Sequence, residues 1–501
     1  MKVRKCDAFF DKMAKRGLAL EFDDATLKPG YSEMLPDQVS INSLFSRNVE
    51  LKIPIASAAM DTVTESGMAI AIAQLGGIGV IHKNLTPEEQ GAHLRQVKRH
   101  LNGFLPKPIT ALETDTIEQI LKRRDECKYK FHSFPVIDST GRLVGILTRN
   151  DFNLCEDQKQ SARDVMTTEL VTAPVGTSLE EAYKHMQDAK KIVLPLVDEE
   201  GRLAGMYTLS DVKRPLFGSS PTFNLDKNGS LRVAAAVGPG DDALKRIECF
   251  PKDIDVVVID TAHGDSRGVL DTLKTLKKMS VGFDIVVGNV SEGESARRLA
   301  DAGADGIKVG QGPGSTCTTR IVTGIGCPQL TAIHNCAKAI RGSGIPVCAD
   351  GGISNSGHIP KAIGAGADNV MLGRIFAGCE ESPGEIIQYK GQPVKVYRGM
   401  GSLAAMRNRG GRERYGQGDT SEGKLVPEGI EGVVPYAGPL GEIIHQLLGG
   451  LRAGMGYVGA ENILMLQEKG DFHQITPIGL QVSHPHDIWI TAEAPNYRRR
   501  S

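Results

Sequence analysis

The chain has no long apolar run, no excess of either charge and no paired-cysteine motif, and each absence removes a class of protein. No apolar stretch reaches the ~20 residues that cross a bilayer, so no transmembrane helix is expected. Fifty-nine Lys and Arg face sixty Asp and Glu, for a net charge of −1. Nothing global therefore points to nucleic acid or a membrane surface as partner. The basic end Arg498-Arg499-Arg500 reads as a solvated tail. The nine cysteines are scattered and odd in number, with no Cys-x-x-Cys. That argues against a disulfide framework or zinc site and fits a reducing, cytoplasmic compartment. Lys2, Arg4 and Lys5 precede only a short apolar stretch, so no signal peptide is expected.

What is present is a chain too long for one ordinary core. Its 501 residues call for two domains, or one barrel plus an insert. The 40% hydrophobic and 24% charged content is the usual globular balance. An internal repeat locates the insert. FHSFPVIDSTGRLVGILTRNDF (131–152) is echoed by KIVLPLVDEEGRLAGMYTLSDV (191–212), with Pro135, Asp138, Gly141, Thr148 and Asp151 recurring as Pro195, Asp198, Gly201, Thr208 and Asp211. Each copy reads as strand, glycine turn, strand and helix start, preceded by an amphipathic stretch at Ile117 to Leu121 or Leu179 to Met186. Two copies are too few for a solenoid, so a pseudo-symmetric pair is expected. The pattern resembles a tandem CBS (Bateman) module. The resemblance implies purine nucleotide regulators such as ATP or GTP, with Thr148, Asp151, Thr208 and Asp211 at the ribose. Helix capping alone explains the same residue types.

With 103–217 set aside, residues 1–102 and 218–501 show eight short apolar runs, most followed by a polar or glycine loop and a helical stretch. They are Ile53–Ser57, Gly79–Ile81, Val233–Val237, Val256–Ile259, Ile285–Val287, Gly306–Val309, Pro346–Ala349 and Val370–Leu372. The expectation is an α/β fold, a (β/α)8 TIM barrel with an inserted α+β domain. A doubly wound sheet is the alternative, weakened by the missing Gly-x-Gly-x-x-Gly after the first strand. A barrel carries its site at the C-terminal strand ends. After the sixth run stands Gly310-Gln311-Gly312-Pro313-Gly314-Ser315-Thr316-Cys317-Thr318-Thr319-Arg320. Its glycines permit close backbone approach. Cys317, among hydroxyls and beside Arg320, is placed where positive charge and N–H groups would stabilise a thiolate. Cys249, Cys336 and Cys348 read as ordinary buried thiols.

GPGSTCTTR resembles the cysteine loop of the IMP dehydrogenase and GMP reductase family. So do SAAMDTVTE (57–65), GGIGVIHKN (76–84), ADGGI (349–353), AGCEESPGE (377–385), YRGMGSLAAM (397–406) and VPEGIEG (426–432). The resemblance implies that Ser315, Gly352, Gly373 and Tyr397 hold a nucleotide phosphate. Asp350 would accept from the ribose, and Met400, Gly401 and Glu428 would meet the purine. Arg374 stands where the family usually has Ser and would either add a phosphate contact or point away. Asp260, Thr261 and Ala262, with Asn289 and Gly310 nearby, would meet the NAD nicotinamide. Carbonyls of Gly312, Gly314 and Cys317 would face K⁺, a monovalent cation, completed by Val482, Ser483 and His484 of a neighbouring subunit. Val482 stands where an acidic residue is usual. A homotetramer is implied, with octamers through the insert as the alternative.

Residues 407–425, RNRGGRERYGQGDTSEGKL, are glycine-rich and lack apolar periodicity, which predicts an irregular mobile flap within 401–432. The resemblance implies that Arg414 activates water, helped by Tyr415 and Thr319, after Cys317 has attacked the purine. A solvated charged loop is the alternative for Arg412, Glu413 and Arg414. Three functions stay open: IMP oxidation with NAD, GMP reduction on the same loop, and a nucleotide sensor with an inactive barrel. Arg414-Tyr415 and VPEGIEG favour the first.

Overall fold

The structure is a computed structural model that describes residues 3–101, 104–105, 108–126, 133–209, 212–213, 222–279, 281–407, 409–417 and 420–497. The chain divides into two compact units, Met1–Lys98 with Thr222–Ser501, and Arg99–Pro221.

The first unit is a closed parallel barrel of eight strands. They are β1 (Ile55–Ser57), β2 (Ile78–Ile81), β3 (Val233–Val237), β4 (Val256–Asp260), β5 (Asp284–Val290), β6 (Gly306–Val309), β7 (Val347–Asp350) and β8 (Asn369–Leu372). Val370 of β8 registers with Ile55 of β1, which closes the ring and excludes the doubly wound sheet. The helices that follow are α1 (Ser66–Gln74), α2 (Pro87–Arg99), α3 (Asp241–Cys249), α4 (Arg267–Lys278), α5 (Gly293–Asp301), α6 (Gln329–Ala339), α7 (His358–Ala365) and α8 (Leu440–Val458).

The strands are continuous apolar runs because both faces are covered. Val256 through Ile259 are all fully buried. Ala56, Ile78, Val80, Ala234, Ala236, Val256, Val258, Val286, Cys348 and Met371 form one interior cluster, while the alternate residues Val257 and Ile259 face the other way. An antiparallel hairpin, Ser43–Ser46 with Val49–Leu51, adds Phe45 to the same cluster. Asp284, at the start of β5, holds the hairpin turn by accepting from Ser46 Oγ at 2.7 Å, Asn48 N at 2.8 Å and Asn48 Nδ2 at 2.8 Å. The N-terminal mouth of the barrel is thus plugged, and the opposite mouth is where chemistry can be built. Between β8 and α8 lies an antiparallel sheet of Ile387–Tyr389, Gln392–Arg398 and Glu431–Pro435.

The second unit repeats one pattern. Phe134–Ile137 pairs with Leu143–Leu147, and Val193–Val197 pairs with Leu203–Thr208. Each copy encloses its own core, under helices Ile117–Glu126 and Leu179–Asp188. The two hairpin turns bond across the pseudo-symmetry: Leu143 N to Gly201 O and Leu203 N to Gly141 O, both 3.1 Å. Thr148 N and Oγ1 donate to Asp151 Oδ2 at 2.6 and 2.7 Å, so this pair caps helix Arg149–Leu154. Asp211 lies outside the described residues.

Candidate active site

A cavity of about 690 Å³ opens at the C-terminal end of the barrel. Its floor is Lys308, only 1% exposed although it carries a charge. Lys308 sits on β6 and places Nζ 2.8 Å from Asp260 Oδ1 of β4 and 2.6 Å from Asp350 Oδ2 of β7. It also donates to Asn289 Oδ1. Asn289 Nδ2 in turn donates to Gly310 O at 2.7 Å and to Asp350 Oδ2 at 3.0 Å. A buried ammonium is tolerated because two carboxylates and an amide surround it. The network orients Asp260, Asn289 and Asp350 on three strand ends at once. Lys308 was not read from the sequence as a site residue. The signal available was a charge in the middle of a strand whose neighbours are all apolar.

Above the floor, the loop after β6 presents Cys317. Its Sγ lies 3.1 Å from Thr319 Oγ1, and Thr319 Oγ1 donates to Glu428 Oε2 at 2.8 Å. The loop is tied to a later segment by Thr318 N to Glu428 O (2.9 Å) and Ile430 N to Thr316 O (2.9 Å), and that segment is tied to a further one by Glu428 N to Gly401 O (3.0 Å). Sulfur, hydroxyl and carboxylate form a continuous polar file suited to moving a proton away from or toward the thiol. Gly310 allows the strand to leave the barrel here, since its φ is +149° and a Cβ would lie 2.1 Å from Asp350 O.

The flap covers this file from the other side. Arg414 forms an ion pair with Asp260 Oδ2, and its carbonyl accepts from Ala262 N at 3.1 Å. Tyr415 packs its ring on Gly401, where a Cβ would lie 2.7 Å from Tyr415 Cζ. Desolvation pushes the Tyr415 hydroxyl above its ordinary value, Cys317 adds to the rise, and Arg414 opposes it. The segment is not wholly irregular as predicted. Arg409–Arg414 is a short helix and Glu422–Lys424 a 3-10 turn. Arg412 supplies the reason, with Nε on Met406 O at 2.6 Å and Nη2 on Arg407 O at 2.8 Å, satisfying the end of the preceding helical turn.

Residues 19–486 match the family model described as IMP dehydrogenase / GMP reductase domain. The chain belongs to the IMP dehydrogenase / GMP reductase family. It is 48% identical over 492 residues to an inosine-5′-monophosphate dehydrogenase of Aquifex aeolicus, covering 97% of this chain and 99% of the relative. The like-named protein of Bacillus subtilis is 45% identical, with 97% and 99% covered. Among solved structures, GMP reductase from Trypanosoma brucei, a cysteine-to-alanine variant in complex with guanosine 5′-monophosphate, superposes with a TM-score of 0.82. It is 38% identical, and 96% of this chain and 100% of that one are covered.

The residues that the family resemblance singled out divide into those that line the cavity and those that do not. Cys317, Thr319, Arg414, Tyr415, Asp260, Thr261, Ala262, Asn289, Gly310, Gly312, Gly314, Asp350, Tyr397, Met400 and Glu428 all line the one cavity. Ser315, Gly352, Gly373, Arg374 and Gly401 do not line it. Burial pushes the Tyr397 hydroxyl above its usual value, and Ser315 opposes the rise. Gly373 abuts that hydroxyl, since a Cβ there would lie 3.3 Å from Tyr397 Oη. Arg374 is exposed, with Nη2 3.4 Å from Ser354 O. Val482, Ser483 and His484 are exposed, at the end of helix Pro477–Val482, and do not line the cavity. Of the thiols read as buried, Cys336 and Cys348 are so, whereas Cys249 is half-buried.

Arg320 differs from its sequence reading. Its guanidinium does not attend the Cys317 thiol but is held by Glu21, by the Cys327 carbonyl and by Gln311 O at 3.2 Å. A second feature escaped the sequence. Ser291 Oγ donates to Gln311 Oε1 at 2.6 Å, which turns the Gln311 amide nitrogen toward Ala262 O (3.2 Å) and His263 Nδ1 (3.1 Å).

Proposed function

We propose that the chain catalyses the NAD-dependent oxidation of inosine 5′-monophosphate (IMP) to xanthosine monophosphate, the committed step of guanine nucleotide synthesis. The observation that carries this reading is the file Cys317–Thr319–Glu428 lying in one cavity with Arg414 and Tyr415. A reductase that expels ammonia needs the cysteine but no water-activating pair. A sensor needs neither.

Cys317 Sγ attacks C2 of the purine, and a hydride departs from C2 with its electron pair, leaving a covalent thioimidate-type adduct. NAD supplies the hydride acceptor when bound. Its nicotinamide end is assigned to Asp260, Thr261, Ala262, Asn289 and Gly310, a polar wall beside the thiol that suits a carboxamide and ribose. In the second half, Arg414, released from Asp260 and in its neutral form, takes a proton from water, Tyr415 and Thr319 assist, and the oxygen adds at C2 as sulfur leaves with a returned proton. Ser315, Gly352, Gly373, Arg374 and Tyr397 are assigned to the phosphate, Asp350 to the ribose, and Met400, Gly401 and Glu428 to the base.

K⁺ at the carbonyls of Gly312, Gly314 and Cys317 belongs to the same reading. The donors fit in kind, being neutral oxygens on a tight glycine loop, although Gly314 O already accepts Cys317 N at 3.0 Å. Val482, Ser483 and His484 of a neighbouring copy would complete the set in a homotetramer. ATP or GTP is assigned to the Arg99–Pro221 unit as regulator, and the cytoplasm as the compartment.

GMP reduction is the second reading, favoured by the likeness to the Trypanosoma brucei structure. One spectrophotometric experiment decides. IMP with NAD should raise the absorbance of NADH, and GMP with NADPH should leave absorbance unchanged. The opposite pair of results would assign the reductase, and silence in both would assign the sensor.

A further inference from the structure

The cysteine loop runs from the end of β6 to the start of α6, residues 310–328, and one side chain from its middle closes it. Arg320 follows Cys317 by three residues, on the helical turn Thr319–Thr323. Its Nε donates to Gln311 O at 3.2 Å on the outgoing stem, and its Nη2 to Cys327 O on the returning stem. Nη1 pairs with Glu21 Oε1, and the other oxygen, Oε2, accepts the backbone N–H of Gln329 at 2.9 Å.

Two glycines leave room for the arginine stem. A Cβ at Gly312 would lie 2.5 Å from Arg320 Cγ, and one at Gly326 would lie 2.6 Å from the same atom. Glu21 is itself held firmly. Leu20 N donates to Thr331 Oγ1 at 2.8 Å, Thr331 N returns to Leu20 O at 3.2 Å, and Glu21 N donates to Asp24 Oδ2 at 2.8 Å. The acid is therefore fastened to α6, and the guanidinium is fastened to the acid.

We propose that Arg320, paired with Glu21, is the positioning residue of the cysteine loop, fixing both stems so that Cys317 is held in attack geometry. The proposal rests on the reading of Cys317 as nucleophile. A planar fork is required, because one group must reach two carbonyls and a carboxylate at once, and a lysine offers a point charge without that geometry. Arg320 touches neither the thiol nor the residues assigned to the phosphate. Its loss therefore acts on the reacting distance rather than on nucleotide affinity, and misplacing a nucleophile by about 1 Å can cost on the order of 100-fold in rate.

The test compares Arg320→Lys, which keeps the charge and loses the fork, with Glu21→Gln, which keeps the shape and loses the charge. The double variant, Arg320→Ala, wild type and Cys317→Ala complete the set. Rapid-mixing measurement of the first NADH turnover and equilibrium binding of IMP are read on each. Both single variants should slow the first turnover by about 10- to 100-fold while the IMP dissociation constant stays near wild type. The double variant should be no slower than the worse single, because the pair acts as a unit. Added methylguanidinium should partly restore Arg320→Ala. A normal first turnover in Glu21→Gln, additive losses in the double variant, or IMP binding that weakens in step with the rate would each overturn the proposal. If wild type makes no NADH, or Cys317→Ala does, the nucleophile reading itself is what has failed.

Discussion

At the scale of single residues, the site is organised by charges whose partners come from distant parts of the chain. In the proposed mechanism the chemistry turns on Cys317. Cys317→Ala is expected to bind IMP almost normally and to form no NADH, since no other thiol lines the cavity among the described residues. Appreciable NADH from that variant would remove Cys317 from the mechanism. A second residue carries a pH dependence that is unrelated to catalysis. His334 on α6 is 1% exposed and stacked on Phe10, and burial pushes its pKa down to about 4. The unfolded chain holds this proton from about pH 6.5 downward, so between those values the unfolded state binds more protons than the folded one. The stability conferred by the neutral imidazole is complete above about 6.5 and is lost as pH falls toward 4, by up to about 3 kcal/mol. Asp7, held at about 2 chiefly by Arg341, titrates below that window. Urea midpoints measured from pH 7.5 to 4.5 should fall more steeply for wild type than for His334→Gln, and equal slopes would refute the assignment. The strand-end position of Cys317 was readable from a cysteine among glycines and hydroxyls, and most of the other residues that gather in its cavity were singled out by the family resemblance. Lys308 was not, because a lysine in an apolar run reads as an interruption until its two carboxylates are seen. The direction of Arg320 was not readable either, since nearness in sequence says nothing of which way a long side chain turns.

At the scale of elements, the eight strands were legible because a parallel strand covered on both faces must be apolar throughout. Two match to the residue, β3 and β6, and the other six differ by a residue or more at an end, as for β7, which begins at Val347 and includes Asp350. The hairpin that plugs the barrel was missed. Its strands are three and four residues long, too short to show a period. The flap was expected to be irregular because Gly410-Gly411 breaks any apolar pattern. Its helical turn comes from contacts the sequence does not display, Arg412 on the Met406 and Arg407 carbonyls and Arg414 on Asp260. The same ion pair ties the flap to the wall assigned to nicotinamide, so flap and cofactor compete for Asp260 in the proposed cycle. Arg414→Ala should therefore give a full first burst of NADH followed by turnover slower by about 10²–10⁴-fold, the usual cost of losing a general base. Covalent adduct should accumulate on Cys317 and be visible by mass spectrometry. An equally slowed burst would mean that Arg414 positions substrate, and unchanged turnover would return it to a solvated loop.

At the scale of the whole molecule, the site residues all belong to the unit formed by Met1–Lys98 and Thr222–Ser501, and the repeat belongs to the other. The chain leaves the barrel unit at Lys98 and re-enters at Thr222, and the two stumps are held independently of what lies between. Lys98, on α2, is 2% exposed and pairs with Asp226 at 2.9 Å and Asp255 at 2.6 Å. Asn224 N donates to Ala73 O at 2.8 Å, and Asn224 Nδ2 to Gly77 O at 2.9 Å. The exit and return are thus brought together by the Lys98–Asp226 pair, a gap that a short Gly-Ser linker spans. Each repeat in the second unit has its own core, and among the described residues neither core includes a barrel residue. Replacing 99–221 with such a linker should therefore give a soluble protein that unfolds in one transition and keeps its first-turnover rate at saturating IMP and NAD. Any response of the full-length chain to ATP or GTP should vanish in the shortened one. Insoluble protein, or a burst lost at saturation, would place the second unit within the catalytic core. A nucleotide response that survives excision would move the regulatory site onto the barrel.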